Sequence, residues 1–222
     1  MKNKISRIIK RLIDIFCAII LLILLSPIFG FIFLLLFIIQ GRPIFYISER
    51  YISCEKKIKI FKFRTMRIDA LDPKYDLEAR FMREGYLDIP LECEVYTPIG
   101  RVLERLQLVE SLQLINIIFN GISLIGNRPL PKRNIEILKK FNGWEGRFDS
   151  PSGITGISQV VGKLNLQPRD RIELECLYSA SYLKGNILIV DLLILYYTAV
   201  FILLGKSLRV EDARALLLRS IS

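Results

Sequence analysis

Apolar positions in this chain gather into two long runs, one near each end, with a mixed middle between them. From Leu12 to Ile39, twenty-eight positions carry only Asp14 as a charge, and five basic residues precede them. A secretory leader has an apolar region of only about 7–15 residues and a small-residue cleavage site, so this stretch reads as a retained membrane segment. As a straight helix it would reach roughly 42 Å, against a hydrocarbon core of ~30 Å. Ser26-Pro27 interrupts it near the middle. Proline lacks an amide donor and crowds the carbonyl four residues back, that of Ile23, and the Ser26 hydroxyl can satisfy the backbone so freed. Each half would be about 20 Å long, too short to span. Lys10 and Arg11 flank one end, Arg42 and Arg50 the other, which favours both ends on the same, cytoplasmic side. The pattern therefore predicts a re-entrant helical hairpin, with a kinked spanning helix as the alternative.

The middle of the chain alternates. Ile44–Tyr46 and Lys57–Phe63 predict short strands or an interfacial hairpin, and Lys56, Lys57, Lys59, Lys62 and Arg64 form a cationic run suited to lipid phosphates. Residues 69–94 turn acidic around Pro73, Gly85 and Pro90 and read as a solvated excursion of helix and loop. Thr97–Pro131 then opens on Gly100-Arg101, continues as an apolar-rich helix carrying Glu110, and ends in a glycine-punctuated turn and an Asn127-Arg128-Pro129 loop. A carboxylate on the helix and a guanidinium beyond the turn could converge on one site, although a lone glutamate on the wet side of an amphipathic helix is common. Lys132–Phe141 predicts a short helix ending at Asn142-Gly143. Residues 151–163 predict a turn followed by a short strand, and Arg169–Ser181 a helix with an acidic stripe at Asp170 and Glu173, Glu175 beside it. Gly162-Lys163 lacks the rest of a nucleotide P-loop. The second apolar run, from Asn186 to Arg209, contains Asp191, a costly charge unless paired. It could just span a bilayer, or lie at the interface or against the domain.

Charge narrows the function classes. Residues 1–67 hold thirteen Lys/Arg against Asp14, Glu49 and Glu55, while the other 155 residues hold nineteen of each sign, so all of the net +10 flanks the first apolar run. That distribution fits anionic headgroups and argues against nucleic acid, which calls for basic residues across a folded domain. The chain has no histidine, which removes imidazole bases, His-dependent nucleophiles and HExxH zinc sites. Cysteines at 17, 54, 93 and 176 make neither a CxxC pair nor a metal-ligand spacing, and read as reduced thiols. Any chemistry must then come from carboxylates, Lys/Arg, hydroxyls or a hard cation such as magnesium.

Several segments taken together resemble one family. GRPIF (41–45), FKFRTM (61–66), TPIGRVLERL (97–106), NGISLIGNRP (120–129), SGITGISQV (152–160) and DLLILYYT (191–198) are similar, in order and spacing, to the monotopic bacterial phosphoglycosyl transferases. The resemblance covers the chain from Ile15 onward. It implies a small, mainly helical α/β cytosolic domain on the inner leaflet of the bacterial cytoplasmic membrane, with a re-entrant helix broken at Ser26-Pro27 and interfacial helices. The division would be 1–40 for the basic flank and membrane helix, 41–185 for the transferase-like domain, and 186–222 for an apolar interfacial helix and tail. The implied reaction moves a sugar-1-phosphate from a nucleotide sugar to polyprenyl phosphate in surface polysaccharide biosynthesis. An aspartate of an Asp-Glu pair attacks the β-phosphate, and magnesium offsets the diphosphate charge.

The resemblance carries Lys62, Arg64, Gln113 and Arg128 over as phosphate- and substrate-binding residues, and Glu110 as the remaining catalytic carboxylate and magnesium ligand. The nucleophilic aspartate itself falls on Val109, which has no lone pair to offer. A family arginine becomes Glu104, and the first proline of a Gly-Pro-Arg-Pro loop becomes Asn127. On a helix, Glu110 would stand about 100° around from the lost position. Three expectations follow: a transferase working through Glu110, an impaired relative that binds substrate or pairs with an active transferase paralogue, or a structural protein on the same scaffold.

Overall fold

The computed structural model describes residues 2–83, 86–162, 166–184 and 186–221. The first apolar run forms a single helix, α1 (Lys2–Gln40), with Pro27 inside it. Where two helices separated by a break were expected, the backbone stays helical through Ser26-Pro27. The donor missing at Pro27 is replaced locally, the Ser26 hydroxyl donating to Ile23 O at 2.8 Å.

Two seams fasten α1 to the rest of the chain, one on each side of Pro27. Ala18, Leu22 and Leu25 pack on Ile58, Ile60, Leu114, Ile117 and Ile122. Phe29, Ile32 and Leu36 pack on Ile44, Phe63, Leu103, Val109 and Leu112. The partners come from β2 (Lys57–Phe63), which pairs with β1 (Phe45–Tyr51) as an antiparallel hairpin as the alternation predicts, from α3 (Pro98–Arg105) and α4 (Leu114–Asn120), and from the segments joining these elements. The acidic excursion adds α2 (Leu77–Phe81) and the two-residue strands β3 (Met82–Arg83) and β4 (Tyr86–Leu87).

The central stretch departs from the single helix expected. Thr97 caps α3 by accepting from Gly100 N at 2.9 Å, and Gly100 is pressed against β2's exit, where a Cβ would lie 1.9 Å from Thr65 O. After Arg105 the chain turns, with Gln107 at a left-handed φ of 57°, and residues 106–110 are not helical. A 3-10 turn (Ser111–Gln113) then leads into α4, which Gly121 ends at φ 74°. The corrected picture puts Val109 and Glu110 in a turn, where adjacent side chains need not differ by a helical step.

Beyond α4, β5 (Ser123–Ile125) pairs in parallel with β6 (Gly153–Thr155), and α5 (Lys132–Leu138) lies between them in sequence. The strand expected within 151–163 is only three residues long. Ile157–Val161 forms a helix, α6, its buried Val160 and Val161 packing beneath α7 (Pro168–Lys184) and α8 (Ile187–Leu204). The segment after Gly205, expected as a tail, is a further helix, α9 (Val210–Ile221), which buries Ala213 and Leu217 in the same cluster. The architecture is mainly helical, with three two-stranded sheets among the described residues.

Each end of α1 is held by polar contacts, buried at Lys10 and part-buried at Gln40-Gly41. Lys10 Nζ donates to Asp191 Oδ2 at 2.7 Å and to Ile125 O at 2.9 Å, and Tyr178 Oη lies 2.8 Å from Asp191 Oδ1. Asp191 is thus paired, the condition its place in an apolar helix demands. Asp14 accepts from Ser123 Oγ and Leu124 N, and Arg11 donates to the carbonyls of Ile117 and Ile122. At the other end Arg64 donates to the carbonyls of Gln40 and Gly41, at 2.8 and 3.1 Å.

Candidate active site

The β1–β2 hairpin, the 106–110 turn and the Arg128-Pro129 loop enclose a cleft of about 740 Å³. Its wall is basic on balance: Arg50, Lys62, Arg64, Arg67, Arg128 and Arg171 line it, against Asp88, Glu104 and Glu110. At its centre the Glu110 side chain is gripped from both sides. Lys62 Nζ, on β2, donates to Oε1 at 2.7 Å, and the Arg128 guanidinium donates to the same oxygen. Among the described residues no donor reaches the other oxygen, Oε2. Burial pushes the Glu110 carboxyl upward, but Arg128 and then Lys62 outweigh it and hold the group well below the usual carboxylate range. The carboxylate is therefore ionised at neutral pH while remaining a quarter exposed.

Loop geometry sets Arg128. Tyr51 N donates to Leu130 O at 2.8 Å, so the hairpin anchors the loop's far side, and Arg147 Nη2 donates to Arg128 O at 2.8 Å from behind. Arg147 is fully buried and paired with the equally buried Glu175 at 2.6 Å, which also accepts from Ser158 Oγ. Asn127 joins this network. Its Nδ2 lies within hydrogen-bond distance of Arg147 O, Glu175 O, Ser150 Oγ and Ser179 Oγ.

Of the residues singled out in the sequence, Lys62, Glu110 and Arg128 converge. Arg64 lines the same cleft while capping α1, whereas Gln113, the last residue of the 3-10 turn, is buried and does not line it. Val109 packs differently from Glu110. It is 3% exposed and packed among Ile32, Leu36, Phe63 and Leu103, so it reaches the cleft only as part of the apolar wall. Glu104 also faces the cleft, accepting from Thr65 Oγ1 at 3.1 Å. Sequence reasoning missed Arg50, Arg67 and Arg171 as wall residues, and set Glu175 only beside the acidic stripe of Asp170 and Glu173, with no buried role. Glu175 sits two positions after Glu173, a spacing that turns it through about 200° on a helix and off that stripe, and this offset was the available signal.

A family profile described as bacterial sugar transferase matches residues 5–205. The chain belongs to that family. Among its relatives, a UDP-glucose:undecaprenyl-phosphate glucose-1-phosphate transferase of Klebsiella pneumoniae is 28% identical over 92% of this chain and 42% of its own length. The exopolysaccharide production protein ExoY of Sinorhizobium fredii is 28% identical over 91% of this chain and 88% of its own. A sugar transferase of Bacillus subtilis, EpsL, is 30% identical over 77% of each. This chain thus spans less than half of the first relative and most of the other two. Two apolar helices, α1 and α8, are long enough to cross a membrane, which agrees with the membrane association of polyprenyl-phosphate chemistry.

Proposed function

We propose that this chain is a membrane-associated sugar-1-phosphate transferase that binds a nucleotide sugar in the basic cleft and passes its phosphosugar to polyprenyl phosphate, with Glu110 as the attacking carboxylate. The observation that carries this reading is the ionised Glu110 held at the cleft wall between two cations, Lys62 and Arg128. The diphosphate of an incoming substrate competes for Lys62 and Arg128, which loosens their hold on the carboxylate. A Glu110 oxygen then forms a bond to the β-phosphorus, the bond to the nucleoside monophosphate breaks, and that group leaves with the electron pair. In the second step a phosphate oxygen of the lipid attacks the same phosphorus and the Glu110 carboxylate leaves, which restores the protein. The relatives named as acting on undecaprenyl phosphate and UDP-glucose support the substrate classes.

Magnesium is compatible with the donors at hand only in part. No cluster of three potential metal ligands occurs among the described residues, and within the Lys62–Glu110–Arg128 contact the oxygen left to a metal is Glu110 Oε2. Magnesium commonly takes one or two carboxylates and fills its shell with substrate phosphates and water, so Glu110 would hold an ion that offsets diphosphate charge.

We place the domain on the cytosolic face with both ends of α1 on that side. Lys10 and the Gln40-Gly41 carbonyls are tied to the same domain, which supports a re-entrant or interfacial course over a crossing one. A second reading has its own support. Val109 is buried as part of an apolar seam at the position where the family resemblance calls for the nucleophile, which favours a substrate-binding partner of an intact transferase.

Incubating the purified protein with magnesium, UDP-sugars and undecaprenyl phosphate separates the two. Multiple-turnover UMP release that falls roughly a thousand-fold or more in Glu110→Gln is the expected result. Tight UDP-sugar binding with no UMP release establishes the binding reading instead, and the absence of both overturns the assignment of the cleft.

A further inference from the structure

A file of phenylalanine rings runs from α1 to the cleft. Phe33 and Phe37 are stacked on the outer side of the helix with centroids 6.5 Å apart, Phe33 lies 6.0 Å from Phe45 on β1, and Phe45 lies 5.9 Å from Phe63. Phe33, Phe37 and Phe45 are each more than two-fifths exposed, and the Arg42 guanidinium lies over the Phe37 ring at 5.8 Å. Phe63 is buried in the α1 seam, so the exposed part of the file meets the cleft at Phe45, which lines it on β1 beside Tyr46, the strand partner of Lys62. Contact with bulk lipid accounts for exposed rings on α1, but not for a file that leaves the helix, crosses to a strand and ends among cations. An apolar lane closed by positive charge is complementary to a long hydrocarbon chain bearing a phosphate, and the acceptor lipid of the proposed reaction is such a molecule.

We infer that Phe33, Phe37 and Phe45 form the lane along which the chain of a polyprenyl phosphate lies, and that this lane delivers its phosphate to Arg50, Lys62 and Arg128. The inference rests on the proposed function, since it assigns the course of that reaction's acceptor lipid. The rings contribute apolar area to the first several isoprene units, so the lane discriminates by chain length and leaves phosphate recognition to the cations.

The test compares the full-length protein in detergent micelles with Phe33→Ala/Phe37→Ala, both at exposed positions, and with Phe31→Ala, an exposed ring of α1 outside the file. The probes are undecaprenyl phosphate, geranyl phosphate and UDP-glucose. The double variant is expected to bind undecaprenyl phosphate about tenfold more weakly while geranyl phosphate and UDP-glucose binding are unchanged, and Phe31→Ala should match the parent. Undiminished undecaprenyl phosphate binding by the double variant overturns the lane while the proposed function stands. An equal loss for all three probes, or an equal loss in Phe31→Ala, also overturns it. A parent protein that binds no undecaprenyl phosphate removes the proposed function, and the lane with it.

Discussion

Lys62, Glu110 and Arg128 meet across separations of 48 and 18 positions, and their mutual charge determines how the cleft responds to pH. Burial lowers the Lys62 pKa from its ordinary 10.5, although Glu110 pulls the other way, so its cation is lost earlier on the alkaline side than that of a free lysine. Glu110 has the opposite dependence. Its depressed folded-state value contributes stability that is present above about 4.5 and is lost as pH falls below that. UDP-sugar affinity should therefore hold from pH 7 down to 5 and decline on the alkaline side before pH 10.5. Lys62→Arg should remove the alkaline decline, and an equilibrium titration across that range checks both limbs. The buried set behind Arg128 acts on stability instead. Asn127→Ala strips the buried acceptors around it of a shared donor and should cost about 1–3 kcal/mol. Glu175→Gln leaves Arg147 charged and unpaired and should cost about 3–5 kcal/mol, both read by denaturant unfolding in detergent. Little of this network was legible. Arg147 sits in a polar-looking stretch whose periodicity gives no hint that it is fully buried, and only tertiary packing brings Glu175 to it.

At the scale of elements, the hairpin strands and some helix ends were the readable parts. The alternation of Lys57–Phe63 gave β2 to the residue, and Gly121 stops α4 at a positive φ, whereas the helix expected to run to Asn142-Gly143 ends at Leu138 and Gly143 opens the next 3-10 turn instead. The turn at 106–110 was not readable, since its leucines continue the apolar spacing of a helix while the backbone leaves it to put Val109 into the α1 seam and Glu110 into the cleft. The same limit applies to α8. Its apolar sequence predicts a helix that needs a partner for Asp191, but Lys10 is 181 positions away. That pair joins α1 to α8 at a buried point, and breaking it from one side leaves a charge without compensation. Lys10→Met should lower stability by about 3–5 kcal/mol, and adding Asp191→Leu should restore most of it. Thermal unfolding in detergent measures the loss, and hydrogen exchange along α1 should localise it. A double variant no more stable than the single one would mean that the site is held by packing alone.

For the whole molecule, the arrangement of α1 bears on how the protein meets the bilayer. A straight helix from Lys10 to Gln40 would be roughly 45 Å long, enough to cross. Yet Lys10 is buried against Ile125 and Asp191, the Gln40 and Gly41 carbonyls accept from Arg64, and the seams at Ala18–Leu25 and Phe29–Leu36 pack between those points. A helix that crosses to the far side cannot keep a domain on the near side attached at both ends. Its outer face is nevertheless apolar for most of its length, with Phe16, Ile23, Leu24, Phe31 and Ile38 each about two-thirds exposed, so one flank must meet lipid while the other meets protein. The one-leaflet course proposed above would satisfy both demands. Cys54, exposed in the β1–β2 turn, reports the side of the domain, and Lys4→Cys in a chain whose other cysteines are replaced reports the start of α1. Both thiols should resist a membrane-impermeant maleimide applied to intact cells, and both should react once the cytoplasmic membrane is opened. Labelling of Lys4→Cys from outside with Cys54 protected would mean that α1 crosses, and that the buried contacts of Lys10 do not form in the membrane.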